Sequence, residues 1–135
     1  PGHIAKGSES ARITGFEDWM PTIAGICGAT PPKNIDGIDF APTLRGEQQP
    51  AREFFYREFA GYGGWQAVWV GDHKLIRKNM QKEKFVTELY DLAHDEAEAK
   101  DLAQEMPQLV KKLERVLARE HQPSPTFPLQ LIDPK

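Results

Sequence analysis

Cysteine is all but missing from this chain. Cys27 stands alone, which excludes an internal disulfide and every multi-thiolate metal site and leaves the redox compartment open. No apolar run approaches the roughly 20 residues that a helix needs to cross a bilayer. No charged segment leading into an apolar one stands at the start, where Pro1-Gly2-His3 replaces an initiator Met. That start is expected to be a processing boundary, with any targeting segment removed together with whatever preceded it. An excess of one charge is missing too. The 17 Lys and Arg face 20 Asp and Glu, for a formal net charge of −3, and the signs are interspersed. This excludes the basic field that holds nucleic acid and the acidic tail that mimics it. Neither nucleic acid nor a membrane is an expected partner. Internal repeats and low-complexity stretches are absent as well.

What is present is enough for a core: 135 residues, 39% of them apolar. Trp19, Met20, Ile23, Ile26 and Cys27 form an apolar stripe at helical spacing. The stripe predicts a helix from Glu17 or Asp18 with Pro21 in its first turn, stopped by Gly28 and kept from resuming by Pro31-Pro32. Cys27, on the buried stripe, is expected to behave as a small apolar group. From Thr30 to Pro50, breakers at Asp36-Gly37, Pro42, Gly46 and Pro50 predict a long irregular connector. Four strands are expected next: Glu53 to Phe59, Trp65 to Val70, His73 to Lys78 and Val86 to Leu92. Gly71-Asp72 makes the tight turn between the second and third. Four strands joined by short loops imply an antiparallel sheet. A helix from Pro107, with Leu109, Leu113, Val116 and Leu117 on one face, is expected to cover one side of it. A short helical turn is expected between Asp95 and Ala103, and Pro123, Pro125, Pro128 and Pro134 predict an extended tail. The fold class is therefore α+β.

The residues offer no catalytic or metal constellation. His3, His73, His94 and His121 show no pairing at three or four residues, as two ligands on one helix would. Asp91, Asp95 and Glu96 lack the alternating donors of a calcium loop and fit turn and capping roles. Glu88 belongs on a solvated strand face. No serine stands in a Gly-x-Ser-x-Gly turn, and the glycines at 61, 63 and 64 lack the Lys-Ser/Thr ending of a phosphate loop. The aromatics Tyr62, Trp65 and Trp69 stand out. For Trp69 the expected place is the core, under a helix; for Tyr62 and Trp65, at the mouth of the strands, packing and stacking on a sugar or aryl ring both remain open.

Taken in order, six segments resemble the C-terminal region of the sulfatase family, in the alkaline-phosphatase-like superfamily. Pro1-Gly2-His3-Ile4 resembles the Trp-Pro-Gly-x-Ile end of the family's last large-sheet strand. Phe16 to Ile23 with Cys27-Gly28 resembles its Asp-x-x-Pro-Thr-Leu helix, and Asp36-Gly37-Ile38-Asp39-Phe40 through Leu44-Arg45-Gly46 its connector. Gln66-Ala67-Val68 with Gly71 to Ile76 is similar to its Gln-Ala-Val hairpin, and Glu88-Leu89-Tyr90-Asp91-Leu92 with Asp95 to Glu98 to its Glu-Leu-Tyr-Asp-Leu run, followed by Asp101-Leu102-Ala103. Trp69, His73 and Glu96 replace the usual Arg, Trp and Pro.

The resemblance implies hydrolysis of sulfate esters by a formylglycine made within a Cys/Ser-x-Pro/Ala-x-Arg motif, with a divalent cation, usually calcium, beside it. Cys27, followed by Gly-Ala-Thr-Pro, does not fit that motif, and the family's catalytic residues carry over onto no position here. The chain is thus expected to be a C-terminal fragment of a larger α/β sulfatase fold, not catalytic by itself, with formylglycine and calcium upstream. Residues 1–50 would form the trailing edge of the catalytic domain and residues 51–135 an antiparallel subdomain with C-terminal helix and tail. Tyr62 and Trp65 would border the substrate cleft. The expected partners are the catalytic domain, a sulfated substrate met through the parent, and other copies of the chain through the uncovered stripe of Trp19, Met20, Ile23 and Ile26. Members of the family are commonly exported to periplasm, lysosome or medium. Two rivals share these features: a free-standing module holding an anionic glycan through the aromatic mouth and Lys74, Arg77 and Lys78, and the tail of a phosphoesterase or phosphonate hydrolase of the same superfamily.

Overall fold

The structure, a computed structural model, describes residues 2–133; Pro1 of the first resembling segment and Pro134 of the expected tail lie outside the described residues. Backbone contacts divide the chain into two units, one ending at Arg52 and the other beginning at Glu53.

In the first unit a 3-10 turn, Phe16–Asp18, runs directly into α1, Trp19–Cys27, and Gly28 ends the helix in the left-handed conformation at φ 69°. Asp18 organises the unit from within. Its carboxylate is buried and accepts the Gly15 and Ile38 amides at 2.8 Å each and Arg52 Nη2 at 2.5 Å. Burial alone would raise the carboxyl's pKa, but the Ile38 and Gly15 amides and the Arg52 guanidinium hold it below the usual value. Thr22 adds a second tie: Oγ1 donates to the Asp18 carbonyl at 2.6 Å and accepts the Phe40 amide at 2.9 Å.

These ties fix which face of α1 packs, and they leave the apolar stripe uncovered, as a fragment lacking its catalytic domain would; only Cys27, expected on a buried stripe, departs from that expectation. Pro21 and Thr22 are buried, whereas Trp19, Met20, Ile23 and Ile26 are between 48% and 56% exposed and Cys27 is exposed. The connector is also less irregular than expected, since Ala41–Leu44 forms a short helix, α2. Pro42 sits in its first turn, where no amide hydrogen is needed, and Asp39 Oδ1 accepts the Ala41 amide at 2.7 Å.

The second unit is a four-stranded antiparallel sheet, β1 Phe55–Phe59, β2 Trp65–Val70, β3 His73–Lys78 and β4 Val86–Asp91, in the order β1-β2-β3-β4. Val68 stands opposite Leu75, and Leu75 opposite Leu89. Helix α3, Pro107–Glu120, lays Leu113 and Leu117 on that row, and all five side chains are fully buried. The expected helical turn between Asp95 and Ala103 is instead a run of turns. Asp95 caps them by accepting the Ala99 and Lys100 amides at 3.0 and 2.9 Å, and Glu98 takes a positive φ of 54° that a helix cannot continue.

The tail is folded back rather than extended. Leu129 and Met80 are both fully buried, the Leu131 amide donates to the Met80 carbonyl at 3.3 Å, and Gln81 Nε2 donates to the Pro128 carbonyl at 2.5 Å. Four prolines favour extended backbone locally, but Leu129 and these long-range hydrogen bonds decide the path.

Because Leu117 fills the centre of this core, Leu117→Ala should lower unfolding stability by about 2–5 kcal/mol, while Lys111→Ala on the exposed side of α3 should change it by less than about 0.5 kcal/mol. Urea denaturation followed by far-ultraviolet circular dichroism checks both.

Candidate functional site

Strand side chains alternate between faces, so the packing of Val68 under α3 sends Trp65, Ala67 and Trp69 to the other side of the sheet. The register then builds rows across that open face: Phe59, Trp65 and Lys78; Arg57, Ala67, Ile76 and Glu88; Phe55, Trp69, Lys74 and Tyr90. Trp69 was expected in the core under the helix. It lies instead on the open face and is half-buried there by its neighbours, with the Phe55 ring 5.5 Å away and Lys74 Nζ 5.2 Å from its own ring centre.

A cavity of about 410 Å³ opens on this face. Ala67 and Ile76 floor it, Trp65 and Trp69 wall it, Lys74 and Lys78 stand beside it, and Tyr62 and Asn79 rim it. Tyr62 is 99% exposed and holds a positive φ of 51°, a costly conformation for an aromatic residue. Its ring lies 6.1 Å from that of Phe59, which lies 6.1 Å from Trp65. The turn carrying Tyr62 is zipped to the turn after β3, because the Met80 amide donates to the Gly64 carbonyl at 3.0 Å and the Gln81 amide to the Gly63 carbonyl at 2.9 Å. The structure therefore brings Tyr62 and Trp65 together at one mouth.

The cations of this face are engaged. Lys74 Nζ lies 2.6 and 2.8 Å from the Glu98 carboxylate oxygens, and Lys78 Nζ lies 2.5 Å from Glu88 Oε2, which also accepts the Tyr90 hydroxyl at 2.6 Å. Burial works to raise the Glu88 carboxyl, yet Lys78 and Tyr90 hold it below its usual value; the Glu88 carboxylate in turn pushes the Tyr90 phenol up. Arg77, grouped with Lys74 and Lys78 in the rival glycan-binding reading, points to the helix side and pairs with Glu114 at 2.8 Å. Three basic residues in one hairpin thus do not share a face.

The calcium site implied by the sulfatase resemblance finds no fit among the described residues. Among the described residues no group of three or more His, Cys, Asp or Glu side chains is placed to hold an ion. Asp91 accepts the Ala93 amide at 3.1 Å and faces His94 Nδ1 at 2.9 Å. With the caps on Ala99 and Lys100, the acidic cluster around 91–96 serves as turn scaffolding. A titratable cluster that sequence reasoning missed joins Glu58, His121 and Asp133, separated by 63 and 12 residues, and no local spacing announces it.

The family profile described as N-sulphoglucosamine sulphohydrolase, C-terminal, matches residues 1–123. The chain is 35% identical over 77 residues to N-acetylgalactosamine-6-sulfatase of Mus musculus, covering 55% of this chain and 14% of that protein. It is 36% identical over 78 residues to arylsulfatase A of Homo sapiens, covering 55% and 15%. It therefore spans about one seventh of the length of these relatives. Among solved structures, a putative sulfatase of Bacteroides thetaiotaomicron superposes with a TM-score of 0.64 at 24% identity, over 76% of this chain and 23% of that one. The phosphonate monoester hydrolase of Agrobacterium radiobacter does so with a TM-score of 0.61 at 20% identity, over 83% and 26%. These two likenesses show the fold.

The mouth makes a graded prediction at two adjacent glycines. Gly63, at φ 86°, would place a Cβ no nearer than 3.7 Å to Asn79 Oδ1, whereas Gly64, at φ 74°, would place one 3.0 Å from Met80 Cβ and Gln81 Cγ. Gly63→Ala should cost about 1–2 kcal/mol for its backbone alone, and Gly64→Ala measurably more, in parallel urea titrations.

Proposed function

The chain belongs to the N-sulphoglucosamine sulphohydrolase C-terminal family of sulfatases, and from that premise we propose that it serves as the C-terminal subdomain of a sulfuric ester hydrolase, completing that enzyme's fold and bordering its substrate cleft without supplying the reacting groups. The observation that carries the reading is the open sheet face. Trp65, Trp69 and the exposed Tyr62 line a hollow of about 410 Å³ whose neighbouring lysines are already paired. Such a face can stack against a ring and shape a cleft, but it holds no nucleophile. The lone cysteine, Cys27, is followed by Gly-Ala-Thr-Pro, so the Cys/Ser-x-Pro/Ala-x-Arg motif, with its formylglycine, and the calcium site are expected on a longer chain.

The partner that fits α1 is the catalytic part of that longer chain. Four large apolar side chains, Trp19, Met20, Ile23 and Ile26, stand about half exposed on one short helix, the mark of a surface made to be covered. The sulfated substrate would be met only through the assembled enzyme.

Three outcomes test this reading. The isolated chain should give no turnover of an aryl sulfate. In the longer enzyme, Tyr62→Ala and Trp65→Ala should each raise KM roughly two- to tenfold, the loss of about 0.5–1.5 kcal/mol of ring contact, with kcat within about twofold; unchanged KM in both would overturn the cleft-bordering role. Light scattering of the isolated chain should show self-association that Ile23→Lys or Ile26→Lys abolishes, and a monomer at all concentrations would count against the covered-face reading.

A further inference from the structure

His121 follows directly on α3 and sits in a carboxylate sandwich. Its Nδ1 lies 2.8 Å from Glu58 Oε2 and its Nε2 lies 2.6 Å from Asp133 Oδ1. The three side chains are largely covered, at 11%, 28% and 7% exposure for His121, Glu58 and Asp133. An ionised carboxylate can only accept a hydrogen bond, and a neutral imidazole carries one N–H, so only the imidazolium, with two, satisfies both contacts. The other groups around the cluster come from every neighbouring element. From β1, the Tyr56 hydroxyl donates to the same Glu58 Oε2; from β2, Gln66 Nε2 donates to Tyr56 Oη at 3.0 Å; from α3, Glu120 pairs with Arg119 at 2.5 Å. Three carboxylates thus face two cations, one of them His121 itself.

Asp133 is the anchor of the folded-back tail. Its second oxygen, Oδ2, accepts the Leu129 amide at 2.7 Å, and the Leu129 side chain is buried. The tail is tied through Gln81 to the turn beside the mouth of the open face. Gln81 Nε2 bridges the Pro128 carbonyl at 2.5 Å and the Ala60 carbonyl at 3.2 Å, while the Gln81 amide holds the Gly63 carbonyl at 2.9 Å, next to Tyr62.

We infer that His121, held as an imidazolium between Glu58 and Asp133, is a pH-sensitive clasp that keeps residues 122–133 folded onto Met80 and Gln81, and through Gln81 steadies the turn that carries Tyr62. The clasp rests on these contacts alone; only its value to a cleft rests on the function proposed above. Burial would lower the imidazole's pKa, but the hydrogen bonds and charges of Glu58 and Asp133 outweigh it and hold it above the ordinary value. A group whose folded-state pKa is raised contributes stability that is fully present below its ordinary pKa and is lost as pH rises through the folded-state value. The clasp therefore closes in mildly acidic solution and loosens toward alkaline pH.

The test is hydrogen exchange of the whole chain, read as protection factors at the Leu129, Leu131 and Gln81 amides between about pH 5.5 and about pH 8.5, alongside a nuclear magnetic resonance titration of the His121 ring. Protection at these amides should fall with rising pH, roughly tenfold for each unit by which the closed-state pKa exceeds the open-state one, with a midpoint that tracks the ring titration. His121→Gln, neutral throughout, should give low protection that does not vary with pH. Asp133→Asn should move the ring titration downward in an otherwise folded chain, as judged by unchanged protection at Val68 and Leu75. Constant protection across the range in the unaltered chain, or a His121 ring that titrates at or below its ordinary pKa, would overturn the clasp. Loss of tail protection with Gln81 still protected would overturn the link to the mouth. A clasp that opens in the longer enzyme while KM for an aryl sulfate stays constant with pH would leave the clasp standing and sink the cleft-bordering function instead.

Discussion

Val68, Leu75 and Leu89 stand in one row across three antiparallel strands, with Leu113 and Leu117 closed over them, and the use of this face by α3 decides what every other strand side chain does. Side chains alternate at a period of two, so placing Val68 inward commits Trp65, Ala67 and Trp69 to the opposite face, Leu75 commits Lys74, Ile76 and Lys78, and Leu89 commits Glu88 and Tyr90. A register shift of one residue would exchange the two sets and put two lysines under a helix. The aromatic hollow is thus the complement of the leucine core, and neither can exist in this sheet without the other.

The strands were legible because turn chemistry and pattern agreed. Gly71-Asp72 and the alternation around it place β2 at Trp65–Val70 and β3 at His73–Lys78, the limits read from the sequence, and the apolar spacing from Pro107 places α3. Which face α3 would cover was not legible. Both faces of β2 are apolar, Trp65, Ala67 and Trp69 on one and Val68 and Val70 on the other, so periodicity offered no choice, and the larger side chains misled the assignment of Trp69. What decides between the faces is the third strand, where Leu75 is apolar and flanked by Lys74 and Ile76 on the other side. The tail and the cluster around His121 failed for a different reason. Their partners lie 12 to 63 residues away, and proline spacing reports local backbone preference alone. The six ordered segments that resemble sulfatases carried the family assignment, which no single residue could.

In the first unit the controlling group is a buried charge rather than a leucine row. Asp18 has its carboxylate oxygens engaged by two amides and a guanidinium, an arrangement stable only with all of them in place. It draws the 38–40 segment against the start of α1 and so selects Pro21 and Thr22 as the helix's packed side. Helical periodicity identified the stripe of Trp19, Met20, Ile23 and Ile26 correctly as an apolar face, yet the polar ties determine that this face points away from the segment the chain itself supplies. An apolar face left outward by a specific hydrogen-bond network differs from one left outward by poor packing, and that difference supports the reading of α1 as a docking helix.

The same reasoning weighs the two uses of the open sheet face. A module that captures an anion unaided needs cations whose charge is not already met. Lys74 is gripped by both oxygens of Glu98, and Lys78 shares Glu88 with the Tyr90 hydroxyl. An incoming sulfate would have to break one of these pairs and leave a carboxylate without its partner, which offsets much of the attraction it brings. Arg77, the remaining cation of the hairpin, is committed to Glu114 on the far side. What the face offers without such rearrangement is ring surface: Trp65, Trp69 and Tyr62 around Ala67 and Ile76. On the function proposed above, recognition of charge would come from groups outside this chain, and the arrangement favours a wall of a larger cleft over a site complete in itself.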